Sequence, residues 1–544
     1  IFYYHFHFER RCFTTVSSEA KWAEYFSLPN PGLESYFSKV RQGNDKEYRT
    51  TFARGQSLSS VLKEWKPTLE TIRTKWPTLM DYEDDLAKKV GPLSIQKPLK
   101  ERMDDIDSYY ASVTKEAKPI PQVALKAVTE EWRNLRGLQI RSERKTVDLM
   151  KKSTNSGSPF FTKRRAVTDK TIPCELSVHG KDVTQHLPMK DYLSCAVLGW
   201  RGQEGGPTDE DVKQRVVWMF PYAVNIRELQ FYQPAIEQAQ KYNLVPAWVG
   251  MDAVDERITK LFDTKAKKDL IVCTDFSKFD QHFNHVMQEA AKSLISHILN
   301  TSNESRSWLN DVFPVKYMIP LAYDIGKVRY GDHGMGSGSG GTNFDETLVH
   351  RALQYEAAIS AGSSLNPNSM CLGDDGILSY PGIKVEDVTR VYSSHGQDMN
   401  IDKQYASAQD CTYLRRWHHT DYRRNGVCVG VYSTYRALGR LCEQERFYDP
   451  EVWGPKMVAL RQLSIIENCK YHPLFHEFVD FCMTKDKFRL GLDIPGFLDN
   501  IETFAQESID LMPDFLGYVK SLDKSDKAYG IANWEVVKYL KSKQ

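Results

Sequence analysis

Three aspartates stand at positions from which carboxylates could bind a cation. The first, Asp275, follows the apolar run 270–274, which predicts a buried strand. A carboxylate at the end of such a strand loses hydration, so it indicates a metal ion or a basic partner nearby. An equally open alternative is that Asp275 caps the helix predicted from the apolar spacing of residues 283–298.

The other two aspartates form the pair Asp374-Asp375, which lies between Gly373 and Gly376. Residues 369–380 predict two short strands joined by a tight turn. Adjacent side chains of a strand point to opposite faces, so the two carboxylates converge only where the backbone turns sharply, which glycine permits. Asp and Gly are also ordinary turn residues, and taken alone the pair predicts a hairpin rather than a site.

A glycine-dense loop at 331–343 lies between these two segments and leads into a helix predicted from apolar spacing at 344–355. Three of its glycines fit the dinucleotide-binding pattern G-x-G-x-x-G. That pattern needs an apolar strand before it and an acid closing a second strand about 20 residues later. The polar residues 327–330 and the Ser/Asn-rich residues 360–369 meet neither requirement well, which disfavours a dinucleotide site.

The composition predicts a large globular protein with helical and extended parts. Of 544 residues, 41% are hydrophobic, and no apolar run approaches the ~20 residues that cross a bilayer. Ten cysteines without a C-x-x-C pair favour reduced thiols over a structural zinc site. The 72 basic and 71 acidic residues nearly cancel, but residues 141–170 hold an excess of Lys and Arg, which predicts either a phosphate-binding patch or a solvated face.

Breaks in the residue pattern predict the coarse organisation of the chain. Residues 51–135 look mainly helical with proline breaks, and 201–207 predicts a glycine-rich loop before an extended stretch. The pattern changes after residue 425, and from 455 onward apolar residues recur at helical spacing. A helix-rich C-terminal unit is expected there.

In chain order, three of these pieces resemble motifs A, B and C of the viral RNA-dependent RNA polymerases: Asp275-x4-Asp280, Ser337-Gly338-x3-Thr342 and Gly373-Asp374-Asp375. The joint match is far more specific than any single piece. The sequence around the first two is most similar to picobirnavirus polymerases, with partitivirus polymerases next. Weaker flanking matches are Ser156-Gly157-Ser158-Pro159 to motif G, Lys213-Gln214-Arg215 to motif F, Lys403 to motif D and Tyr413-Leu414-Arg415 to motif E.

The resemblance implies phosphoryl transfer assisted by two divalent ions, Mg²⁺ or Mn²⁺, because acidic oxygens suit these metals. It makes Asp275 and Asp374 the main metal ligands and Asp375 an accessory one. Lys403 is expected to protonate the leaving pyrophosphate as a general acid.

The resemblance also implies contacts with nucleotide and RNA. The expected nucleotide-binding residues are Lys213, Arg215, Asp280, Ser337, Gly338, Thr342 and Asn343. The expected RNA-binding residues are Ser156, Gly157, Pro159, Lys163, Arg164, Arg165 and Arg415. Lys213 and Arg215 lie two apart on an extended segment, hence on one face. In one departure, Glu346 stands where the general pattern has asparagine, so the usual partner of Asp280 is expected to be absent, with Asn343 as a substitute.

The implied fold is an α+β right hand with fingers, an antiparallel palm sheet with packed helices, and a helix-rich thumb. The expected divisions are an N-terminal segment bridging fingers and thumb at 1–75, fingers at 76–265, palm with motif A at 266–300, a fingers insertion at 301–332, palm with motifs B to E at 333–425, and thumb with the C-terminal region at 426–544.

The implied function is template-directed RNA synthesis from ribonucleoside triphosphates, replicating and transcribing a viral, segmented double-stranded RNA genome. Expected partners are template and product RNA and a capsid protein, without a membrane, in the virion interior and the host cytoplasm. A reverse transcriptase shares the palm but typically has an aromatic residue at the position of Gly373 and a bulky ribose gate at that of Asp280. A non-catalytic RNA-packaging protein would use residues 141–170 but has no reason to gather three acids beside phosphate.

Overall fold

The structure is a computed structural model, and it describes residues 15–17, 22, 31–508 and 530–544. Parts of the predicted bridging segment at 1–14, 18–21 and 23–30, and part of the predicted thumb at 509–529, lie outside the described residues. Helices and strands are mixed along the chain, and the antiparallel central sheet confirms the α+β prediction.

A four-stranded sheet, here called the palm sheet, lies at the centre of the molecule. Its strands follow the spatial order Met370–Leu372, Asp375–Leu378, Ile271–Thr274 and Tyr405–Ser407. Every adjacent pair is antiparallel. The strand after residue 270 and the hairpin around Asp374-Asp375 are thus confirmed.

Both faces of the palm sheet are covered, and every residue of its inner strand Ile271–Thr274 is buried. Alternate residues serve different cores, as the two-residue period of a strand requires. Val272 packs in the large core built by the helices His285–Ile298, Thr342–Ser360 and Val385–Ser393. Ile271 and Cys273 pack in a smaller core against the helix Met251–Thr264 and the strand Asp410–Tyr413.

The helix expected after motif A is confirmed at His285–Ile298, but its cap is not Asp275. Asn284 is the N-cap residue, and its side chain accepts a hydrogen bond from the N–H of Met287 at 3.2 Å. The alternative role proposed for Asp275 from the sequence is therefore wrong, and its carboxylate does not serve as a helix cap.

A second sheet of five strands flanks the centre. Its spatial order is Thr15–Ser17, Lys327–Arg329, Leu321–Asp324, Ala196–Gln203 and Lys213–Met219. The glycine-rich loop predicted at 201–207 is shorter than expected, because residues 201–203 continue the strand that pairs with Lys213–Met219. The extended stretch predicted after it is confirmed.

Three smaller sheets and the remaining helices complete the fold. The strands are Glu175–His179, Asp182–His186 and Asp191–Leu193; Asp410–Tyr413, Arg416–His419 and Val431–Tyr432; and Tyr48–Arg49 with Glu443–Gln444. The helices before the palm are Pro31–Gln42, Leu58–Glu70, Pro77–Ala87, Leu99–Ala111, Gln122–Glu131, Glu143–Asp148, Arg164–Thr171, Tyr222–Lys241 and Pro246–Val249, and Asn303–Asp311 lies between motifs A and B.

The C-terminal unit is helical, as predicted, over the residues that the structure describes. Its helices are Thr434–Cys442, Pro450–Glu467, Phe475–Lys485, Ile501–Ser508 and Glu535–Lys541. They share one apolar core with the N-terminal helices Leu58–Glu70 and Pro77–Ala87. Within the described parts of the chain, none of the helices combines the length and apolarity needed to span a bilayer.

Candidate active site

The palm sheet brings Asp275 and Asp375 together at one end of two adjacent strands. Gly376 pairs with Thr274 in the antiparallel register. Asp275 directly follows the strand that ends at Thr274, and Asp375 directly precedes Gly376. Two acids that are distant in sequence therefore lie at the same end of neighbouring strands.

The third aspartate lies in the turn of the hairpin, and a neighbouring helix holds that turn. Gly373 has a left-handed φ of +57°, which glycine adopts without strain. Its N–H donates to Thr347 Oγ1 at 2.9 Å, and its carbonyl accepts from His350 Nδ1 at 2.8 Å. Burial lowers the pKa of His350 to about 4, so the ring is neutral at pH 7. The helix Thr342–Ser360 thus fixes where Asp374 points.

The acids of this cleft repel one another. Burial raises the pKa of Asp374, and the charges of Asp280 and Asp275 raise it further. Burial and the charge of Asp374 raise the pKa of Asp375 to about 7. Carboxylates placed this close favour either protonation or a bound cation.

Asp375 also has a partner beyond the palm sheet. Its Oδ2 accepts a hydrogen bond from the N–H of Leu414 at 2.8 Å. Leu414 and Arg415 form the turn of the next hairpin, with left-handed φ values of 53° and 61°. Two consecutive non-glycine residues in this conformation cost free energy, which the bond to Asp375 offsets in part. One oxygen of the predicted accessory metal ligand is therefore used by the hairpin.

Glu346, at the position where the general pattern has asparagine, lies beside Asp280. Glu346 is only 4% exposed, and its carboxyl lies close enough to that of Asp280 for a hydrogen bond. Burial, followed by the charges of Asp280 and Asp374, raises the pKa of Glu346 well above its usual range. A protonated Glu346 can donate to Asp280 as an asparagine amide would. Its Oε2 is buried without a hydrogen-bond partner in the described structure.

The predicted substitute, Asn343, has other partners. Its Oδ1 accepts from Trp248 Nε1 at 2.8 Å and lies 3.5 Å from Thr347 Oγ1. Among the described side chains, Glu346 rather than Asn343 is the one placed beside Asp280. The glutamate thus stands next to Asp280 at the position of the usual asparagine.

The glycine-dense loop before this helix packs against the strand Lys213–Met219. Ser337 Oγ donates to the carbonyl of Val216 at 3.2 Å. A Cβ at Gly338 would lie 1.6 Å from the carbonyl oxygen of Trp218, so only glycine fits there. Thr342 Oγ1 donates to the Gly336 carbonyl at 3.1 Å and closes the loop. These polar groups shape the loop, and their nucleotide contacts stay a prediction.

Buried charges lie behind the loop. Glu228 accepts hydrogen bonds from the Ser339 hydroxyl and, at 3.2 Å, from the N–H of Gly340. Lys316 is fully buried with its Nζ 3.1 Å from the Asp345 carboxylate, which also accepts from two tyrosine hydroxyls. Burial lowers the pKa of Lys316, and the charges of Asp345 and Glu228 oppose that shift. The network ties the loop and the helix to their neighbours.

Lys213 and Arg215 are exposed on one face of their strand, as predicted. Burial lowers the pKa of Lys213, and the positive charges of Lys89 and Arg215 lower it further, while Asp275 raises it. The strand therefore presents a cationic wall close to the acidic cleft. Lys89 joins this wall and was not indicated by the sequence.

The segment similar to motif G is built into the protein. Ser156, Gly157 and Pro159 are buried. Ser156 accepts at its carbonyl from the N–H of Tyr222 at 2.8 Å, and Gly157 has a φ of +63°. A Cβ at Gly157 would lie 2.7 Å from the carbonyl oxygen of Phe220. The loop thus packs closely against the end of the strand that carries Lys213 and Arg215.

The basic residues that follow divide into two kinds. Arg164 donates to the Lys151 carbonyl at 3.1 Å and to Asn225 Oδ1 at 3.0 Å, so its guanidinium serves the fold. Lys163 and Arg165 are exposed. The predicted RNA contact therefore rests on these two side chains.

Two further predicted residues are partly or fully exposed near the palm sheet. Lys403 ends the short 3₁₀ helix Ile401–Lys403 and is exposed. Arg415 lies 3.9 Å from the Glu204 carboxylate, with 46% of its side chain exposed. Its charge lowers the pKa of Asp375, so it is near the acidic cluster.

Comparisons with known proteins agree with this geometry. A family model for viral RNA-dependent RNA polymerase matches residues 57–426. The chain belongs to the viral RNA-dependent RNA polymerases. It is 62% identical over 528 residues to a protein of human picobirnavirus described as a potential RNA-dependent RNA polymerase, covering 96% of this chain and 99% of the relative. The family membership favours RNA synthesis over reverse transcription or packaging alone.

Solved structures show the same fold over almost the whole polymerase. The crystal structure of a human picobirnavirus RNA-dependent RNA polymerase has a TM-score of 0.93 at 62% identity, covering 97% of this chain and 100% of that one. An insertion-loop deletion mutant of a human picobirnavirus polymerase has a TM-score of 0.91 at 60% identity, with coverage of 97% and 100%. The predicted α+β polymerase fold is confirmed.

Polymerases of this family use divalent metal ions, and the cleft fits them in donor type and charge. Its carboxylates supply the hard oxygen ligands that Mg²⁺ and Mn²⁺ prefer. Over the described ranges, however, no three His, Cys, Asp or Glu side chains are already grouped as a metal site. Mg²⁺ is usually held by one or two carboxylates together with substrate phosphates. The carboxylates of the cleft thus match the protein share of such a site in donor type and charge.

Several residues that hold the site carried only a weak signal in the sequence. Lys316 is the clearest case, because a lysine inside the apolar run 312–320 indicates a buried charge. Thr347 and His350 lie on the helix after motif B, and nothing local relates them to Gly373. Their roles depend on contacts between segments that are distant in sequence.

Glu346 generates a pH-dependent prediction. When folding raises the pKa of a carboxyl, the folded state loses stability as the pH rises above the pKa of that carboxyl in the unfolded chain. The loss is up to ~1.4 kcal/mol per pH unit. The amide that Glu346→Gln introduces does not titrate. We therefore expect the variant to gain stability relative to the wild type between pH 5.5 and pH 8, measured by thermal unfolding in EDTA. Glu502→Gln, at an exposed position, is the control, and a constant difference across pH would show that Glu346 is ionised.

Proposed function

We propose that this polymerase joins ribonucleotides by two-metal-ion phosphoryl transfer, with Asp275 and Asp374 as the main metal ligands and Asp375 as an accessory one. The observation that carries the proposal is the cluster of acids that raise one another's pKa at the end of the palm sheet. When bound, the ions would activate the 3′ hydroxyl and neutralise the pyrophosphate. Among the described residues, no basic side chain forms an ion pair with Asp374, so none takes the place of these ions.

The triphosphate is assigned to the cationic wall opposite these acids. Lys213 and Arg215 project from one strand face, so both can contact the same phosphates. Lys403 is assigned the role of general acid toward the pyrophosphate, supported by its exposed position beside the palm sheet.

The ribose and base are assigned to the region between Asp280 and the motif B loop. Asp280 lies beside Glu346, whose raised pKa favours the protonated form, so the two carboxyls together offer both donor and acceptor groups to the 2′ hydroxyl. Ser337, Gly338 and Thr342 define the loop surface next to them. Asn343 is assigned a supporting place in this pocket, since Trp248 holds its amide.

The template is assigned to the basic surface next to the motif G loop. Lys163 and Arg165 offer exposed charges for phosphates. We assign a shaping role in this path, rather than side-chain contacts with RNA, to Ser156, Gly157 and Pro159, because they are buried. Arg415, at the next hairpin turn, is assigned to the product strand.

The right-hand divisions given in the sequence analysis are retained as part of the proposal, with one change. The bridging segment extends to about residue 90, since Val90 and the helix Pro77–Ala87 pack in the thumb core. Earlier in the same segment, Leu33 and Phe37 pack with the five-stranded sheet. These contacts support a segment that links fingers to thumb and encloses the template channel.

The biological setting follows from the picobirnavirus relatives. The enzyme would replicate and transcribe a segmented double-stranded RNA genome, working on template and product RNA in the virion interior and the host cytoplasm. A capsid protein is its expected partner. Support for this setting is the 62% identity over nearly the full chain.

The central test is Asp374→Asn in a primer-extension assay with a short RNA template, four ribonucleotides and Mg²⁺. Loss of a ligand charge should lower incorporation about a hundredfold or more. RNA binding, measured by fluorescence anisotropy, should stay within about twofold, because the basic surface is unchanged. Asp402→Asn, an exposed palm position, is the matched control. Normal incorporation by a folded Asp374→Asn protein would falsify the metal role.

Sugar choice tests the ribose pocket. Asp280→Ala should reduce kcat/KM about tenfold more for a ribonucleotide than for the matching deoxyribonucleotide, since only the former loses a hydrogen bond. Glu346→Gln retains a donor and an acceptor and should keep the preference for ribonucleotides. Equal losses for both sugars in Asp280→Ala would assign Asp280 a structural role only.

Salt dependence tests the template path. Replacing Lys163 and Arg165 by Ala should lower the slope of log affinity against log salt by about 1 to 1.5, as expected for two phosphate contacts on single-stranded RNA. The loss should be similar for different template sequences. Lys267→Ala/Lys268→Ala, also exposed, is the control pair. An unchanged slope with intact binding would move the template path elsewhere on the surface.

A further inference from the structure

The side chain of Gln404 binds both backbone groups of Asp275. The N–H of Asp275 donates to Gln404 Oε1 at 2.7 Å, and Gln404 Nε2 donates to the Asp275 carbonyl at 2.9 Å. The amide of Gln404 thus pairs with Asp275 as a peptide group of an adjacent strand would. Nothing in the local sequence around Gln404 indicates this contact.

The position of Gln404 at the end of the palm sheet explains the geometry. The edge strand Tyr405–Ser407 pairs with Ile271–Thr274, and Tyr405 faces Cys273. Before Tyr405 the chain leaves the sheet into the turn at 401–403, so the edge strand supplies no backbone partner for Asp275 on this side. The side chain of Gln404 therefore extends the hydrogen-bond ladder of the palm sheet to Asp275, the predicted metal ligand at the end of the strand.

The orientation of the Gln404 amide is fixed by its partners. Nε2 also donates to the carbonyl of Asn400 at 3.0 Å. A carbonyl only accepts and a backbone N–H only donates. Reversing the amide would therefore break all three bonds, which leaves one orientation compatible with these neighbours.

We propose that Gln404 is a positioning residue that sets the metal affinity of the Asp275 carboxylate by fixing its backbone. The proposal rests on the proposed function, in which Asp275 is a metal ligand. Asp275 is exposed to the cleft, so water would satisfy its backbone groups if Gln404 were removed. The expected cost is therefore lost placement of the carboxylate rather than lost stability of the fold.

Metal geometry makes this placement matter. Mg²⁺ demands near-ideal octahedral coordination at short distances, so a small displacement of one carboxylate weakens binding. Side chains that orient metal ligands typically change metal affinity by about 10- to 100-fold when they are replaced. A contact to the backbone of the ligand, with the rest of the strand intact, should lie near the lower end of that range.

The test uses the full chain and two variants of Gln404. Gln404→Met keeps the length of the side chain but removes every hydrogen bond, and Gln404→Asn keeps the amide but is one methylene too short to reach both groups. Gln409→Ala, exposed and in the same segment, is the control. Thermal unfolding reports on folding, and if Gln404→Met fails to fold, Gln404→Asn decides the outcome.

Two readouts separate positioning from general damage. Mn²⁺ affinity without nucleotide, measured by electron paramagnetic resonance titration, should fall about tenfold in Gln404→Met and less in Gln404→Asn. In nucleotide incorporation, the Mg²⁺ concentration for half-maximal rate should rise by a similar factor, while the rate at saturating Mg²⁺ and the KM for nucleotide stay within about threefold. Gln409→Ala should match the wild type.

An equal loss of rate at every metal concentration, with unchanged Mn²⁺ affinity, would overturn the proposal and leave Gln404 a structural residue. Asp275→Asn distinguishes this outcome from a failure of the proposed function. If Asp275→Asn binds Mn²⁺ and incorporates nucleotides normally, the metal role of Asp275 itself is wrong. If Asp275→Asn is inactive while the Gln404 variants behave as the wild type, only the positioning role is wrong.

Discussion

The repulsion among the carboxylates of the cleft is the constraint on which the rest of the site depends. Asp374, Asp375 and Glu346 each have a pKa raised by burial and by a neighbouring acid. Like charges in a partly desolvated cleft favour separation unless the surrounding structure holds them in place. The three aspartates are held by different elements: a helix fixes the turn that carries Asp374, a hairpin turn binds Asp375, and the amide of Gln404 binds the backbone of Asp275.

Contacts outside the cleft hold the helix Thr342–Ser360 in place. The helix that holds the Gly373 turn begins at the motif B loop, and Glu228 binds that loop. The fully buried Lys316 and Asp345 pair ties the same helix to the segment between motifs A and B. Removing one partner of such a pair leaves an uncompensated buried charge, which costs about 3 to 5 kcal/mol. Buried ionic contacts therefore hold the motif B loop and its helix against the neighbouring segments.

The N-terminal and C-terminal parts of the polymerase depend on each other as well. Trp65 packs in the same core as Leu438 and Leu460, and Glu83 accepts hydrogen bonds from the first residues of the helix Thr434–Cys442. Neither part buries its apolar face alone, since their large aromatic and aliphatic residues meet in one core. The two parts of the chain therefore stabilise each other.

The sequence by itself determined the local elements and the chemical class of the site. The apolar run before Asp275, the glycines around Asp374-Asp375 and the loop before Thr342 predicted a strand, a hairpin and a loop leading into a helix, because their periods and turn residues are local properties. Family resemblance identified the polymerase from the order of the three motifs. Only the tertiary structure decided that Glu346 is the partner of Asp280, that Asp375 binds Leu414, that Arg164 serves the fold and that Gln404 extends the ladder beside Asp275. Those contacts join residues far apart in the chain, and their identity depends on distances and burial that no local pattern of residue types contains.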